Sequence, residues 1–390
     1  MRQEAPCRAA PAIWMLQRMR LHPRPLILAA ALIAAALIGA CGQSNTPTRP
    51  AAAKTRAPNS TLTAQLQGVV DAGAPAALAL VNDGRSIRLH AAGAAKPTDR
   101  FRAGSITKSF VSTVALQLVG ERKLSLSDTV EHWLPGILPY GDRVTVRQLL
   151  QLTSGVPDDQ GPIEAEWLKG NMRKTWSPRE IVGLVADKKP DFAPGTSWAY
   201  SNTNYTLAGM VIERATGHPL GHELKRRIFG PLHLRHTSFP TDETTIEGSH
   251  VKGYALLDGE LRDVTVLNPS GVWGPGNLVS TTPDIARFWR ALLGGRLLAP
   301  AQLKAMKTTV PAWTGFEYGL GIMPFRTACG SIWGNGGDIA GYSNNFWNSE
   351  DGTHQAAVMA DTNPAPDAVD GARGAALHKA MAEALHRESC

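Results

Sequence analysis

The spacing of apolar positions changes several times along the chain, and the changes divide it. From about Leu62 a helical spacing gives way to two apolar or alternating runs, ALALVNDG and SIRLHAAG, joined by Asn82, Asp83 and Gly84, which predicts a short helix followed by a hairpin. In SITKSFVSTVALQLVGERK, Ile106, Phe110, Val114 and Leu118 recur at helical spacing, so a helix with one buried stripe is expected to end near Gly120. Residues from about 121 to 284 read as short helices broken by Pro and Gly, among them VTVRQLLQL, SPREIVGLVADK and TNYTLAGMVIERATG. Strand-like patterns return in YGLGIMPF, GYSNNFWNS and HQAAVMAD, and a helix from about Asp367 to Arg387 closes the chain. Both ends are therefore expected to build one α/β lobe, 62–120 with 285–390, around an inserted helical lobe, 121–284.

Composition agrees with a folded chain large enough for two lobes: 390 residues, 43% apolar and 19% charged. The formal charge of +7 weakens on inspection, because the five arginines and one glutamate of residues 1–40 supply +4 of it. So small a remaining surplus implies neither nucleic acid nor an acidic membrane surface as partner.

That first segment carries its own signal. Arg18, Arg20 and Arg24 precede PLILAAALIAAALIGA, a run of about fifteen apolar residues, short for a spanning helix but suited to a signal-peptide core. It ends in Ile38, Gly39, Ala40 and Cys41, which resembles a bacterial lipobox, where the Cys is lipidated and the chain is cut just before it. The expectation is a lipoprotein signal over 1–40, a membrane anchor at Cys41, and a flexible tether over 41–61, rich in Pro, Thr, Ala and Ser. The folded unit, 62–390, would then face the periplasm. A signal anchor, or a plainly cleaved signal with an incidental Cys, is the alternative. Export would leave Cys329 and Cys390 free to pair in an oxidising compartment, although two thiols alone do not require it.

Hydrolysis of an acyl bond through a covalent intermediate needs a hydroxyl, a base for its proton, and donors for the oxyanion. Ser105 and Lys108 stand three apart at a helix start, on one face, where free backbone N–H groups and the positive end of the dipole gather. Ser-x-x-Lys is weak by itself: Ser249 and Lys252 repeat it in a hairpin-like stretch, and an N-cap serine beside a solvated lysine explains an isolated match. His218 with His222, and His233 with His236, have metal-like spacing but lack the intervening carboxylate of a zinc-protease pattern, so neither a metal nor a cofactor is expected. Trp198, Trp273 and Trp333 lie close in sequence to the candidate motifs, as cleft or core residues; Asp128 and Glu131 read as helix-start charges.

Context adds to the serine and lysine. FRAGSITKSF, LLQLTSGVPD, FAPGTSWAYSNTNYTLAGMVIERATG, GNLVSTTPDIARFWRALLGGRLL and YGLGIM occur in that order. Together they resemble the serine β-lactamase and DD-peptidase superfamily over roughly residues 62–363. Within it the chain is similar to the branch of class C β-lactamases, Streptomyces-type D-alanyl-D-alanine carboxypeptidases and their esterase relatives. The resemblance implies an antiparallel sheet flanked by N- and C-terminal helices with an inserted, mostly helical lobe. It also implies a Tyr-x-Asn element, matched by Tyr200, Ser201 and Asn202. Tyr342, Ser343 and Asn344 repeat the letters in what reads as a core strand, where Tyr342 is expected to pack. The implied roles are Ser105 as nucleophile, Lys108 and Tyr200 as proton carriers, and Asn202 as a substrate-binding amide.

A third element, a Lys or His followed by a short residue and Gly, is altered. The corresponding segment is GNGGDIAGY, with Asn335 in the cation's place, then Gly336 and Gly337; the resemblance implies that Asn335, Gly337 and Asp338, with Asn202, bind the substrate. The Asp338 N–H would still join the Ser105 N–H around an oxyanion. Losing a charged hydrogen bond for a neutral one weakens recognition of a free carboxylate by about tenfold, and it leaves Tyr200 less acidic, shifting the base role toward Lys108. The expected function is a D-alanyl-D-alanine carboxypeptidase-like serine acyl-hydrolase acting on small amides or esters. A carboxylesterase, a class C-like β-lactamase, or a penicillin- or peptidoglycan-binding lipoprotein without turnover are the alternatives. The expected partners are a small-molecule or peptide substrate and, through the anchor, a membrane; oligomeric state is not legible.

Overall fold

A computed structural model of the chain describes residues 59–257, 260–313, 315–327 and 330–363. The signal, Cys41, most of the tether, Cys329, Cys390 and the closing helix expected over 367–387 lie outside the described residues.

The chain opens with α1 (Asn59–Asp71), the hairpin β1 (Ala76–Asp83) and β2 (Ile87–Gly93), the short β3 (Phe101–Arg102) and α2 (Thr107–Gly120). Then come α3 (Val130–Trp133), α4 (Val146–Gln151), α5 (Gln160–Leu168), α6 (Pro178–Gly183), α7 (Thr203–Thr216) and α8 (Leu220–Leu224). The hairpin β4 (Tyr254–Leu257) and β5 (Glu260–Asp263), β6 (Val279–Ser280), α9 (Thr282–Leu293) and α10 (Pro300–Lys307) follow. The strands β7 (Val310–Pro311), β8 (Glu317–Tyr318), β9 (Met323–Thr327), β10 (Gly330–Ile339), β11 (Tyr342–Asn348), β12 (His354–Ala360) and β13 (Thr362–Asn363) complete the described part.

Six strands form one antiparallel sheet in the order β2-β1-β12-β11-β10-β9, so strands from the two ends of the sequence meet at β1 and β12. Alternation explains its two faces. Ala77, Ala79, Val81, Ala356 and Val358 pack with Leu62, Leu66 and Val69 of α1, whereas Leu78, Leu80, Phe346 and Met359 point into the larger core. The chain leaves for the helical lobe and returns side by side, because Phe101 of β3 pairs with Ser280 of β6. The fold is thus mixed α and β, with an antiparallel sheet and flanking helices. A small sheet also forms: the hairpin of β4 and β5 follows the hairpin-like stretch at Ser249 to Lys252 within the otherwise helical lobe, and β13, from the last described residues, pairs with β4.

Three local outcomes differ from the periodicity. α2 is buried not on one stripe but all round: Thr107, Lys108, Ser109, Val111 and Ser112 are as enclosed as Phe110, whose ring stacks on Phe288 at 3.6 Å. α6 stops at Gly183, shorter than SPREIVGLVADK suggests, although Ser177 and Glu180 form a capping box and Pro178 opens its first turn. β10, between β11 and the edge strand β9, does not read as a strand in the sequence, since its four glycines at 330, 334, 336 and 337 give little strand signal.

Candidate active site

The site forms where β10 crosses the start of α2. Ser105 sits in a tight 3-10 turn, Gly104–Ile106, that leads directly into α2. Two glycines permit the crossing. Gly104 has φ +53°, and a Cβ there would lie 2.8 Å from the Asp338 carbonyl oxygen and 3.0 Å from its nitrogen. A Cβ on Gly337 would lie 2.0 Å from the Ala103 carbonyl oxygen and 3.0 Å from the Ser105 nitrogen. The backbones of Ser105 and Asp338 are therefore in close apposition.

Around the hydroxyl, three polar side chains converge. Ser105 Oγ is 2.5 Å from the Tyr200 hydroxyl and 2.9 Å from Lys108 Nζ. Lys108 Nζ also donates to Asn202 Oδ1 at 2.7 Å and to the Pro275 carbonyl at 3.4 Å, and lies 4.7 Å from the centre of the Tyr200 ring. Asn202 Nδ2 in turn donates to Gln160 Oε1 at 3.1 Å, and Asn202 N donates to Asp158 Oδ1 at 2.7 Å. Lys108 and Asn202 thus approach from α2 and from just before α7, while Tyr200 comes from the Pro-Gly loop preceding that helix. Tyr200 is braced by Trp198, whose ring is 6.5 Å away, and Trp198 packs on Trp313 at 4.8 Å and Tyr318 at 5.8 Å.

Burial sets the proton affinities. Lys108 is fully enclosed, and desolvation pushes its ammonium down to about 7 against the opposing pull of Asp158 and Asp159. Burial drives the Tyr200 phenol well above its ordinary value, with Tyr318 pushing the same way and the Ser105 hydroxyl opposing. Near neutral pH the amine, not the phenol, is accordingly the available base.

The structure sorts the remaining candidates. Asn335 is buried and faces away from the cleft: its Nδ2 donates to the carbonyls of Ser105 and Gly321, at 3.4 and 3.3 Å, and to Ser109 Oγ at 3.4 Å. It ties β10 to the nucleophile's turn and does not stand where a substrate would touch it. Asp338 is exposed at the cleft, accepting a bond from Ser343 Oγ at 2.6 Å. Among the repeated motifs, Ser249 bonds Asp99 at 2.6 Å and Lys252 pairs with Asp263 at 3.2 Å, far in role from one another. The Tyr342 hydroxyl donates to the Val251 carbonyl at 2.9 Å, inside the core. Trp273 and Trp333 are buried, Trp333 donating to Glu350 at 2.6 Å, and neither lines the cleft beside Ser105. Asp128 accepts from Ser125 N and the Trp133 indole, and Glu131 from Gly136 N, so both hold the turn around α3. Among the described residues no group of three or more His, Cys, Asp or Glu side chains gathers as a metal site.

Beside the expected Asn202 and Asp338, the cleft holds residues that the sequence analysis does not single out. The opening beside Ser105 is lined by Asn202, Asp159, Gln160, Glu164 and Asp338, with Ile163, Trp167 and Val272 as an apolar wall and no Lys or Arg among the lining residues. Asp158, Asp159 and Gln160 follow LTSGVP directly; the motif was legible, but nothing in its letters says that the acids fold under Asn202.

Comparison with known proteins bears on the family and the fold. The family model "Beta-lactamase" matches residues 63–380. The chain is 30% identical over 265 residues to "Penicillin-binding protein 4*" of Bacillus subtilis (strain 168), covering 64% of this chain and 57% of that protein. It is also 30% identical over 268 residues to "Putative penicillin-binding protein PbpX" of the same organism, covering 68% and 63%. It therefore spans less than two thirds of the length of these relatives. Among solved structures, a D-stereospecific amidohydrolase from Streptomyces sp. superposes with TM-score 0.76 at 38% identity, over 82% of this chain and 97% of that one. A D-amino acid amidase from Ochrobactrum anthropi SV3, complexed with L-phenylalanine, gives 0.73 at 27% identity over 83% and 97%.

Proposed function

Because the chain belongs to the beta-lactamase family, a superfamily of serine hydrolases, we propose that it is a Ser105 amidohydrolase acting on small amides and esters of D-amino acids. The observation that carries the reading is the meeting of Lys108 Nζ and the Tyr200 hydroxyl, 2.9 and 2.5 Å from one serine oxygen, at the edge of an open cleft.

In this reading neutral Lys108 takes the Ser105 proton as Oγ bonds to the acyl carbon, and the Ser105 and Asp338 N–H groups receive the oxyanion. The proton then passes by way of Tyr200 to the departing amine or alcohol, and the bond to that group breaks. Water repeats the sequence on the acyl-enzyme and releases the acid. No cofactor enters the cycle.

The choice of substrate rests on charge. A substrate ending in a carboxylate would meet Glu164 and Asp338 and no lining cation, whereas an amide with a free ammonium group meets acceptors. This favours an amino acid amide over the D-alanyl-D-alanine carboxypeptidase activity expected from sequence; the D configuration rests on the two amidohydrolase structures. Location is part of the same proposal: the arginines, apolar run and Cys41 support an exported, lipid-anchored form. A mass increase at Cys41, lost in Cys41→Ala, tests it.

The deciding assay compares D- and L-phenylalanine amide, a D-alanyl-D-alanine peptide, p-nitrophenyl acetate and a fluorescent penicillin, each with the wild type and Ser105→Ala. Release of ammonia from the D-amide, abolished in Ser105→Ala, is expected. Turnover that survives the substitution would end the serine-nucleophile reading, and preference for the peptide would return the substrate to the carboxypeptidase class.

A further inference from the structure

Behind the proton carriers lies a pair of acids that the cycle above does not use. Asp158 is half-buried and Asp159 is 2% exposed, and they stand at the entrance to α5. The ordinary reason for an aspartate immediately before a helix is to cap it. Asp159 makes no side-chain cap bond to α5; its Oδ1 instead accepts from Thr203 Oγ1 at 3.2 Å, at the start of α7. Asp158 Oδ1 accepts the Asn202 N–H at 2.7 Å, and Asn202 Oδ1 receives Lys108 Nζ at the same distance. The two acids are thus built into the frame that points the Asn202 amide at the lysine.

We propose that Asp158 and Asp159 act together as positioning residues for Lys108: Asp158 aims Asn202, and the two carboxyls share one proton, so that a single negative charge faces the lysine when it accepts the proton of Ser105. This rests on the reading of Ser105 and Lys108 as nucleophile and base. Two adjacent enclosed carboxyls cannot both ionise without opposing each other, and one opposite charge near an enclosed amine favours its protonated form. Burial raises both acids, Asp159 to about 8 with Asp158 adding to the effect, while Lys108 and the Asn202 N–H oppose the rise at Asp158. The other titratable groups facing Lys108 are the phenols of Tyr200 and Tyr205, 4.7 and 5.6 Å from Nζ at their ring centres. The Asp338 charge acts on Tyr200, pushing the phenol further up. Both phenols are held neutral by burial, so the acid pair supplies the charge.

The sign of the effect is definite. The carboxylate charge holds the Lys108 pKa up against burial. With it removed, the lysine loses its proton at lower pH, and the acid limb of activity moves down. The test is the pH dependence of kcat/KM for p-nitrophenyl acetate, whose turnover does not depend on the D-amide proposal. In Asp158→Asn/Asp159→Asn the midpoint should fall by about one pH unit or more, with a severalfold lower plateau from the weaker base. A residue that merely supports the fold would lower the rate at every pH and leave the midpoint in place; that result overturns the proposal. If Ser105→Ala keeps full activity, the underlying reading fails instead. Should the double variant not fold, carboxyl carbon NMR of the wild type decides, with resonances assigned from the two single Asn variants. The pair should still hold one proton at about pH 7, and finding both carboxyls ionised there would overturn the shared charge.

Discussion

Replacing Asn202 with alanine removes the shortest bond that Lys108 makes, the 2.7 Å contact with Oδ1, and leaves Ser105 Oγ at 2.9 Å and the Pro275 carbonyl at 3.4 Å. A hydrogen bond to a charged group contributes about 1.5–3 kcal/mol, and each pKa unit corresponds to about 1.4 kcal/mol, so losing it destabilises the ammonium by about one to two units. Water entering the space left by the amide restores part of this, which makes about one unit the expected shift. Starting from about 7, the lysine falls to about 6. Activity that needs the neutral amine then extends to lower pH, although its plateau drops at least about tenfold because the amine is less well aimed. Asn202→Asp should act in the opposite sense. A carboxylate at hydrogen-bond distance raises the lysine by about one to three units, moving the acid limb up. The measurement is kcat/KM across pH for one ester, with thermal unfolding to show that each variant is folded. If both variants move the limb the same way, or neither moves it, Lys108 is not the group whose ionisation the limb reports.

Three other outcomes are expected. Gly337→Ala places a methyl 2.0 Å from the Ala103 carbonyl oxygen, so β10 must move off the nucleophile turn; a loss of about 1–3 kcal/mol in denaturant unfolding and of most acyl-enzyme formation should follow. Asn335→Lys puts a cation beside the start of α2 and should lower the proton affinities of Lys108 and Tyr200; an unchanged pH profile would show that position 335 does not govern the site's electrostatics. Asp361, 1% exposed, is raised by burial to about 7 even though its Oδ1 accepts the Ala76 N–H at 2.7 Å. The folded state then binds more protons than the unfolded chain between about pH 4 and about pH 7, so stability falls as pH rises through that window, by at most about 4 kcal/mol. Asp361→Asn should flatten this slope in urea melts at successive pH values, and an unaltered slope would place the titration elsewhere.

Much of the frame was legible because it is local. The turn at Asn82, Asp83 and Gly84, the apolar repeat of α2 and the strands β11 and β12 each express a period that short-range sterics and burial impose. Ser105 and Lys108 stand one helical turn apart, so their alignment needs nothing beyond the helix itself. What escaped depends on contacts across the chain. β10 is hard to see as a strand because its glycines serve the close crossing at Ala103 and Ser105, which trades strand propensity for proximity.

Sequence by itself thus determined the helical spacing of the nucleophile and its lysine, the order of the motifs, and the replacement of a cation by Asn335. Tertiary structure decided the rest. It brought Tyr200 onto Ser105 and Asn202 onto Lys108, turned Asn335 inward to hold the strand, and buried Lys108 beside Asp159 and the half-buried Asp158. The physical reason is that proton affinity and substrate charge preference belong to an environment, to desolvation and to neighbouring charges, and the linear order of residues does not state which neighbours the fold will supply.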